Sequence, residues 1–287
     1  LNNTLIDYTL HLADNALIIG QRNSEWCGHG PVLEQDIALT NISLDLIGQA
    51  RSLYQYAAEL INDSRRLSTG NTPSIPTSRE GRGEASSLNG MNTAGRCEAT
   101  EDTLAYLRDS REYKNCLLTE LPNGDWAQTM LRQFFFSTWQ FLLYQRLQHS
   151  SNTRLAAIAE KSLKEVTYHV RWSSEWIIRL GDGTEESHAR MRHAIDELWM
   201  YTGELFIPAE YELNAFKQGA GVDVTSLKDE WHQRVNEIFA EAMLPVPAAN
   251  GQGFSHTGGK QGLHTEYIGF VLAEMQYMQR TYPGCEW

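Results

Sequence analysis

The chain has 287 residues, 41% of them hydrophobic and 21% charged, which suits a soluble globular protein with one large domain and a substantial core. Its formal net charge of −12 excludes a nucleic-acid backbone as the main partner, since such surfaces need clustered Lys and Arg to displace counterions. The four cysteines, Cys27, Cys97, Cys116 and Cys285, contain no C-x-x-C pair of the kind zinc knuckles and redox motifs use, and read as free thiols. No apolar run reaches the roughly 18 residues of a membrane span, and no basic region followed by an apolar stretch and a cleavage site opens the chain. A cytoplasmic protein is expected.

Leu5, Leu12, Ala16 and Ile19 recur at helical spacing, with Thr4 and Asp7 placed as an N-terminal cap, so a first helix is predicted to about Gln21. After a turn through Ser24–Pro31, with Pro31 suited to a first helical position, one apolar stripe of Leu33, Ile37, Leu44, Ile47, Leu53, Tyr54, Ala57 and Leu60 predicts a long antiparallel second helix. From about residue 62 to 100 the pattern collapses into Ser, Thr, Gly, Asn and Arg, which predicts a solvated loop or disordered insertion. Helical pattern resumes over Glu101–Leu118. A third main helix runs through Trp126, Met130, Phe134, Trp139 and Leu143, and a fourth through Leu155, Val166, Trp172 and Leu180, ending at a C-cap glycine in Gly181-Asp-Gly183. Further helices are predicted over about Thr184–Phe206, Ser226–Met243 and Thr265–Thr281. With strand signals nearly absent, the whole reads as one all-α domain over 1–287, a four-helix bundle with additional C-terminal helices.

Bundles of this kind often hold a di-iron centre, built from one carboxylate on each of two helices and a Glu-x-x-His pair on each of the other two. Of the nine histidines, His188 alone has Glu three residues before it, in Glu185-Glu-Ser-His188, and that match falls in the first turn of a helix, where it reads as capping. His169 lies mid-helix but has Val166 where a glutamate is needed, and Glu165 is rotated about 100° from that face. His169 therefore reads as a buried, hydrogen-bonded core histidine. No G-x-S-x-G elbow, P-loop or dinucleotide fingerprint is present, and Gly258-Gly-Lys-Gln-Gly262 reads as a flexible turn. Arg108, Arg111 and Lys114 recur every three residues around Tyr113. That spacing predicts one basic helix face, able to meet phosphates or to pair with Glu101, Asp109 and Glu112.

Several separated words, Ser24-Glu-Trp-Cys-Gly-His29, Asn41-Ile-Ser-Leu-Asp-Leu-Ile-Gly-Gln-Ala-Arg51, Lys164-Glu-Val-Thr-Tyr-His169, Gly262-Leu-His-Thr-Glu266 and Leu272-Ala-Glu-Met-Gln-Tyr277, resemble the C subunits of bacterial phenylacetyl-CoA epoxidases. The resemblance runs over nearly the whole chain outside 62–100. It implies a ferritin-like fold and a structural subunit without cofactor, paired with a catalytic A subunit that holds the di-iron centre. In that complex a reductase with FAD and an iron-sulfur cluster passes electrons from NADPH, and one oxygen atom enters the ring of phenylacetyl-CoA to give the 1,2-epoxide. By similarity, Leu17 stands where the A subunit has its first ligand glutamate, Leu46 and Gln49 replace a Glu-x-x-His pair, Val166 replaces the second glutamate, and His169 is retained. Glu112, Tyr113, Lys114 and Asn115 align with a region bordering bound CoA, with Lys114 on a phosphate and Tyr113 on adenine. The eight tryptophans suit aromatic anchors of a large subunit interface. An independent di-iron oxidase with unorthodox ligands and a stand-alone acyl-CoA binding module are the competing expectations.

Overall fold

The computed structural model of the chain describes residues 2–69, 98–247, 255–283 and 285. Four long helices carry the core: α1 (Asn2–Ser24) and α2 (Leu33–Thr69), then, after the short α3 (Glu101–Tyr106) and α4 (Leu117–Glu120), α5 (Trp126–Leu147) and α6 (Thr153–Gly181). Five further helices come after them, α7 (Glu185–Leu198), α8 (Glu210–Lys217), α9 (Lys228–Glu241), α10 (Tyr267–Met275) and α11 (Tyr277–Thr281), and no strand occurs among the described residues.

Side-chain pairs fix the directions. Tyr54 donates to Asp14 at 2.6 Å, while a Cβ on Gly20 would stand 3.1 Å from the Leu46 Cβ, so α1 and α2 are antiparallel and closely approached. Asn23 on Gln133 (2.7 Å) and Trp26 on Thr129 (2.9 Å) set α5 antiparallel to α1, and the short connection from Leu147 to Thr153 together with Ser137 beside Ser173 sets α6 antiparallel to α5. The helices α2 and α5 therefore run the same way on a diagonal, and the chain between them must return along the bundle. This is the one-crossover arrangement of ferritin-like bundles.

The crossover differs from the continuous helix that 101–118 predicts. A capping box at Thr100 and Thr103 starts α3, a single 3-10 turn occupies Ser110–Glu112, and the backbone then extends through Tyr113 and Cys116 before α4. The backbone leaves the helical path because its polar groups find partners on α1. Asp14 accepts from the Lys114 N–H (2.8 Å), Asn15 from the Cys116 N–H (2.8 Å), and Arg22 donates to the Glu120 carbonyl (3.0 Å). Arg108, buried, sits on Asp14 (3.1 Å from Nη1 to Oδ2) and over the Tyr54 and Tyr113 rings. The basic helix face predicted from Arg108, Arg111 and Lys114 does not form.

Helix α2 runs to Thr69, past the predicted start of the insertion at 62, and residues 70–97 lie outside the described residues. The base of that segment is clasped: the Asn62 amide donates to the Ala99 carbonyl (2.9 Å) and accepts the Ala99 N–H (3.0 Å). Other boundaries also shift. Helix α1 extends to Ser24 and contains Thr4 internally, α2 begins two residues after Pro31, and the helix predicted over 184–206 ends at Leu198 in 3-10 turns. Helix α8 has no counterpart in the predicted set. Gly181 belongs to the last turn of α6 and has no left-handed φ; a Cβ there would lie 2.4 Å from the Ala242 carbonyl oxygen, so close approach of the α9 terminus requires it.

The turn Gly258–Gly262 is anchored, not flexible. Lys260 is fully buried, its ammonium 2.9 Å from Glu212 and 3.0 Å from the Ile207 carbonyl, and Glu204 accepts the Gly258 N–H at 2.8 Å. Burial opposes charge on both groups, but each keeps its charge through the other, with Lys260 above and Glu212 below its ordinary pKa. Gly258 and Gly262 both have φ in the left-handed region, and a Cβ on Gly262 would strike the Arg111 carbonyl.

His264 fastens the segment leading into α10. Its Nδ1 lies 2.7 Å from Glu120 Oε2 and its Nε2 3.0 Å from the Tyr113 carbonyl, two acceptors, so the geometry suits a ring that donates from both nitrogens. Burial disfavours that charge, but the hydrogen bond and charge of Glu120, the Tyr113 carbonyl and Asp14 outweigh it and raise the pKa above 6.5.

These contacts set two expected outcomes. Arg108→Ala leaves the Asp14 carboxylate buried without its cation and is expected to cost about 3–5 kcal/mol in urea unfolding. The raised His264 pKa contributes stability that is complete below the unfolded value of about 6.5 and is lost as pH climbs through the folded value. Hydrogen exchange of α10 should therefore quicken, beyond its intrinsic pH dependence, as pH rises across that window. The extra acceleration should vanish in His264→Gln; an identical profile in both proteins would refute the assignment.

Candidate functional site

In bundles of this fold, cofactors are held at the centre between facing helices. Here α1, α2 and α6 deliver Leu17, Leu46 and Val166 into one continuous apolar cluster, all of them buried. Burying such side chains stabilises a fold by about 1.5–3 kcal/mol each. Gln49 and His169 are buried as well, but their side chains are engaged along the α2–α6 seam. Gln49 donates to Glu165 at 2.9 Å and accepts from Gln140 of α5 at 3.1 Å, while His169 Nε2 lies 3.1 Å from Asp45.

The seam continues in both directions. Gln35 accepts the indole N–H groups of Trp172 (3.1 Å) and Trp176 (2.8 Å), and Asn152 donates to Tyr56 at 2.6 Å. Glu165, which helix geometry turns away from the metal-facing side, thus has a clear role: it closes the edge of the bundle over Gln49. Helices that would present ligands to a metal in this fold are held to one another by neutral and charge-assisted hydrogen bonds.

The fit of these residues to a di-iron centre is poor. Two iron ions need several carboxylates to balance their charge in a buried site, and the positions at issue supply hydrocarbon at Leu17, Leu46 and Val166. Two buried polar atoms, His169 Nδ1 and Gln140 Oε1, have no protein partner, which leaves one imidazole nitrogen and one amide oxygen as donors. Among the described residues no group of three or more His, Cys, Asp or Glu converges so as to hold a metal ion. His188 is no metal-facing residue and is not in the α7 capping box, which Thr184 and Ser187 form; its Nδ1 lies 2.7 Å from the Gly181 carbonyl at the end of α6.

Of the residues expected to border CoA, Tyr113 and Asn115 are buried, while Glu112 and Lys114 line one groove. Tyr113 is fully buried, its ring under the Arg108 guanidinium at 4.2 Å and its hydroxyl on the Ala105 carbonyl, so no ring face is open to an adenine. Asn115 is buried and donates to Glu120 at 2.9 Å. Glu112 reaches solvent, and Lys114, half-buried and 3.5 Å from Asp7, lines an open groove of about 550 Å³ between α1, α3 and the end of α2.

The tryptophans do not serve as surface anchors. All seven within the described residues are buried or half-buried, with Trp26, Trp126, Trp172 and Trp176 packed edge to face at one end of the bundle. Exposed apolar surface lies elsewhere. The predicted single stripe on α2 is two faces: its Leu53, Tyr54 and Ala57 are buried along with Leu39, Ile42 and Leu46, which the stripe did not include, whereas Leu33 and Leu44 are 72% and 61% exposed with Ile37 between them. At about 100° per residue, Leu33, Ile37 and Leu44 share a sector of about 40° opposite the buried one. That angular split was the available signal. Gly48, next along this face, has open space where a side chain would be.

Comparison with known proteins gives this geometry its family. Residues 1–287 match the family model described as phenylacetic acid catabolic protein. The chain belongs to that family. It is 44% identical over 285 residues to the C subunit of the 1,2-phenylacetyl-CoA epoxidase of Escherichia coli (strain K12), covering 99% of this chain and 100% of that protein. Membership of the phenylacetic acid catabolic protein family agrees with the all-α, ferritin-like bundle described above, and no helix among the described residues is long and apolar enough to cross a membrane.

The apolar centre can be tested directly. Val166→Glu buries a carboxylate among Leu17 and Leu46 and is expected to destabilise the fold by about 3 kcal/mol or more, read from urea unfolding, without bringing iron to the purified protein. Retained stability together with stoichiometric iron would show that the centre can still accommodate a metal and would overturn its reading as closed apolar core.

Proposed function

We propose that this chain is a non-catalytic structural subunit of a 1,2-phenylacetyl-CoA epoxidase complex, acting in aerobic phenylacetate degradation in the cytoplasm. Its role in this reading is to pair with the catalytic A subunit and hold that subunit's helices in working shape. The observation that carries the proposal is the bundle centre, closed by Leu17, Leu46 and Val166 where a di-iron protein needs carboxylates. A bundle kept whole after losing its chemistry is suited to be a packing partner for a bundle that has it.

The outer face of α2 supports the pairing. Leu33, Ile37 and Leu44, with the open position at Gly48, make an apolar strip on which a helix of the A subunit can pack closely. The chemistry of the complex, oxygen activation at di-iron fed from NADPH through FAD and an iron-sulfur cluster, belongs to the partner subunits. Contact with CoA reduces in this reading to Lys114, whose ammonium lines the groove beside Asp7 and can turn toward a phosphate of CoA held at the subunit boundary.

Metal analysis of the isolated chain, then co-expression with the A subunit and gel filtration, tests the reading. The expected result is sub-stoichiometric iron, no oxidase activity alone, and co-migration with A that Leu44→Asp abolishes while the variant keeps its fold. Stoichiometric iron or activity without A would establish an independent oxidase. Phenylacetyl-CoA binding without A, and no co-migration, would establish a stand-alone acyl-CoA module.

A further inference from the structure

Helix α10 is apolar on both its sides. Ile268, Val271 and Leu272 pack into the chain, yet Phe270 is 64% exposed, and Leu263 before the helix and Tyr277 after it are 65% and 60% exposed. Glu274 is the one charged residue within α10, and Gly269 has open space where a Cβ would stand. A helix that is apolar all round is normally covered all round, and a contiguous exposed patch of large apolar residues marks an interaction surface.

The inner face shows that this element is held in a fixed place. His264 and Thr265 together engage both oxygens of Glu120, the Gln276 amide donates to the Arg108 carbonyl (2.9 Å) and the Tyr113 hydroxyl (3.0 Å), and Arg280 reaches the Arg108 carbonyl at 3.0 Å. Buried polar groups grip the segment from within while aromatic side chains are presented outward. That is the reverse of a helix folded for solvent.

We infer that the face built on Leu263, Phe270 and Tyr277 seats an apolar helix flanked by Lys or Arg from a second partner subunit, different from the one that covers α2. Two observations select this occupant. The exposed charged side chains on and around the face are Glu266, Glu274, Asp109 and Glu112 against Arg111 and Arg280, with Arg280 paired to Asp109 at 3.1 Å, so acidic groups outnumber basic ones. The face therefore favours a basic neighbour. A second copy of this chain in a two-fold contact would bring the same glutamates against each other, which disfavours self-association.

The separation from α2 is set by α1. Gly20 of α1 meets Leu46 of α2, whereas Arg22 of α1 donates to the Tyr267 carbonyl of α10, and positions two apart on a helix lie about 200° around it. The two apolar faces thus flank α1 on opposite sides. One subunit can engage two different partners at once, which makes this chain a bridge. The inference rests on the proposed membership of a multi-subunit complex and assigns this face to a subunit other than A.

The test uses the complete complex, co-expressed and purified with all its subunits, and measures composition by native mass spectrometry and retention by titration. The double variant Phe270→Asp/Tyr277→Asp, checked for fold by circular dichroism, is expected to weaken retention of one subunit other than A at least tenfold while A stays bound. Glu266→Lys/Glu274→Lys changes exposed side chains alone, and is expected to weaken the same subunit, which covers the case in which the first variant misfolds. Unchanged composition in the charge-reversal variant overturns the inference, as does loss of A or loss of a second copy of this chain. Failure of Leu44→Asp to release A would count against the α2 pairing alone and leave this face untouched.

Discussion

The Asp14 carboxylate organises the molecule around it. It lies fully buried on α1, held by the Arg108 guanidinium, the Tyr54 hydroxyl and the Lys114 backbone N–H, so α2 and the crossover, both distant in sequence, converge on one pair of oxygens. A buried charge of this kind is tolerated only when its partners are complete, which makes the arrangement nearly all-or-none. Once it forms, the crossover must lie extended along α1, the Tyr113 ring must sit under Arg108, and the Tyr113 carbonyl and hydroxyl are placed to receive His264 and Gln276. The position of the C-terminal segment is inherited from an ion pair in the first helix.

The same division of labour recurs across the chain. Its buried carboxylates, Asp14, Glu120, Glu204 and Glu212, all serve backbone N–H groups or buried cations in the crossover and the added elements. The bundle centre, where a metalloprotein of this fold would spend its carboxylates, is hydrocarbon. Acidic groups in this fold are expensive wherever water is absent; here that cost is met by shaping loops and leaves nothing for metal. That allocation fits the proposed structural role, in which rigid outer surfaces matter more than a reactive interior.

Much of the bundle was legible from periodicity. The four long helices and the short turn between the last two emerge from apolar spacing and end signals, and the valine at 166, three residues before His169 where a Glu-x-x-His pair needs glutamate, can be read directly. What periodicity could not supply was the partner of each polar residue. Arg108, Arg111 and Lys114 recur every three residues and so mimic a helix face, but Asp14, about a hundred positions earlier, takes Arg108 inward and pulls the backbone straight. Lys260 among glycines resembles a mobile turn until Glu212 is placed beside it. Residues of long sequence separation decided these places, and no local pattern encodes them.

On α2 the ambiguity was of another kind. Leu33, Ile37 and Leu44 are as apolar as Leu53 and Ala57, and the sequence merges them into one broad stripe. Only the angle between the two sets separates core from contact surface. An amphipathic helix with a second, outward apolar sector costs solubility unless something covers it, so its presence is informative about assembly in a way that the inward sector is not. The outward aromatics around α10 obey the same logic on the far side of α1. A chain with two such faces on opposite sides of α1 and an apolar centre between them has the physical form of a spacer, and in the proposed role the distance and angle between its neighbours would be set by the packing of α1 against α2 and α10.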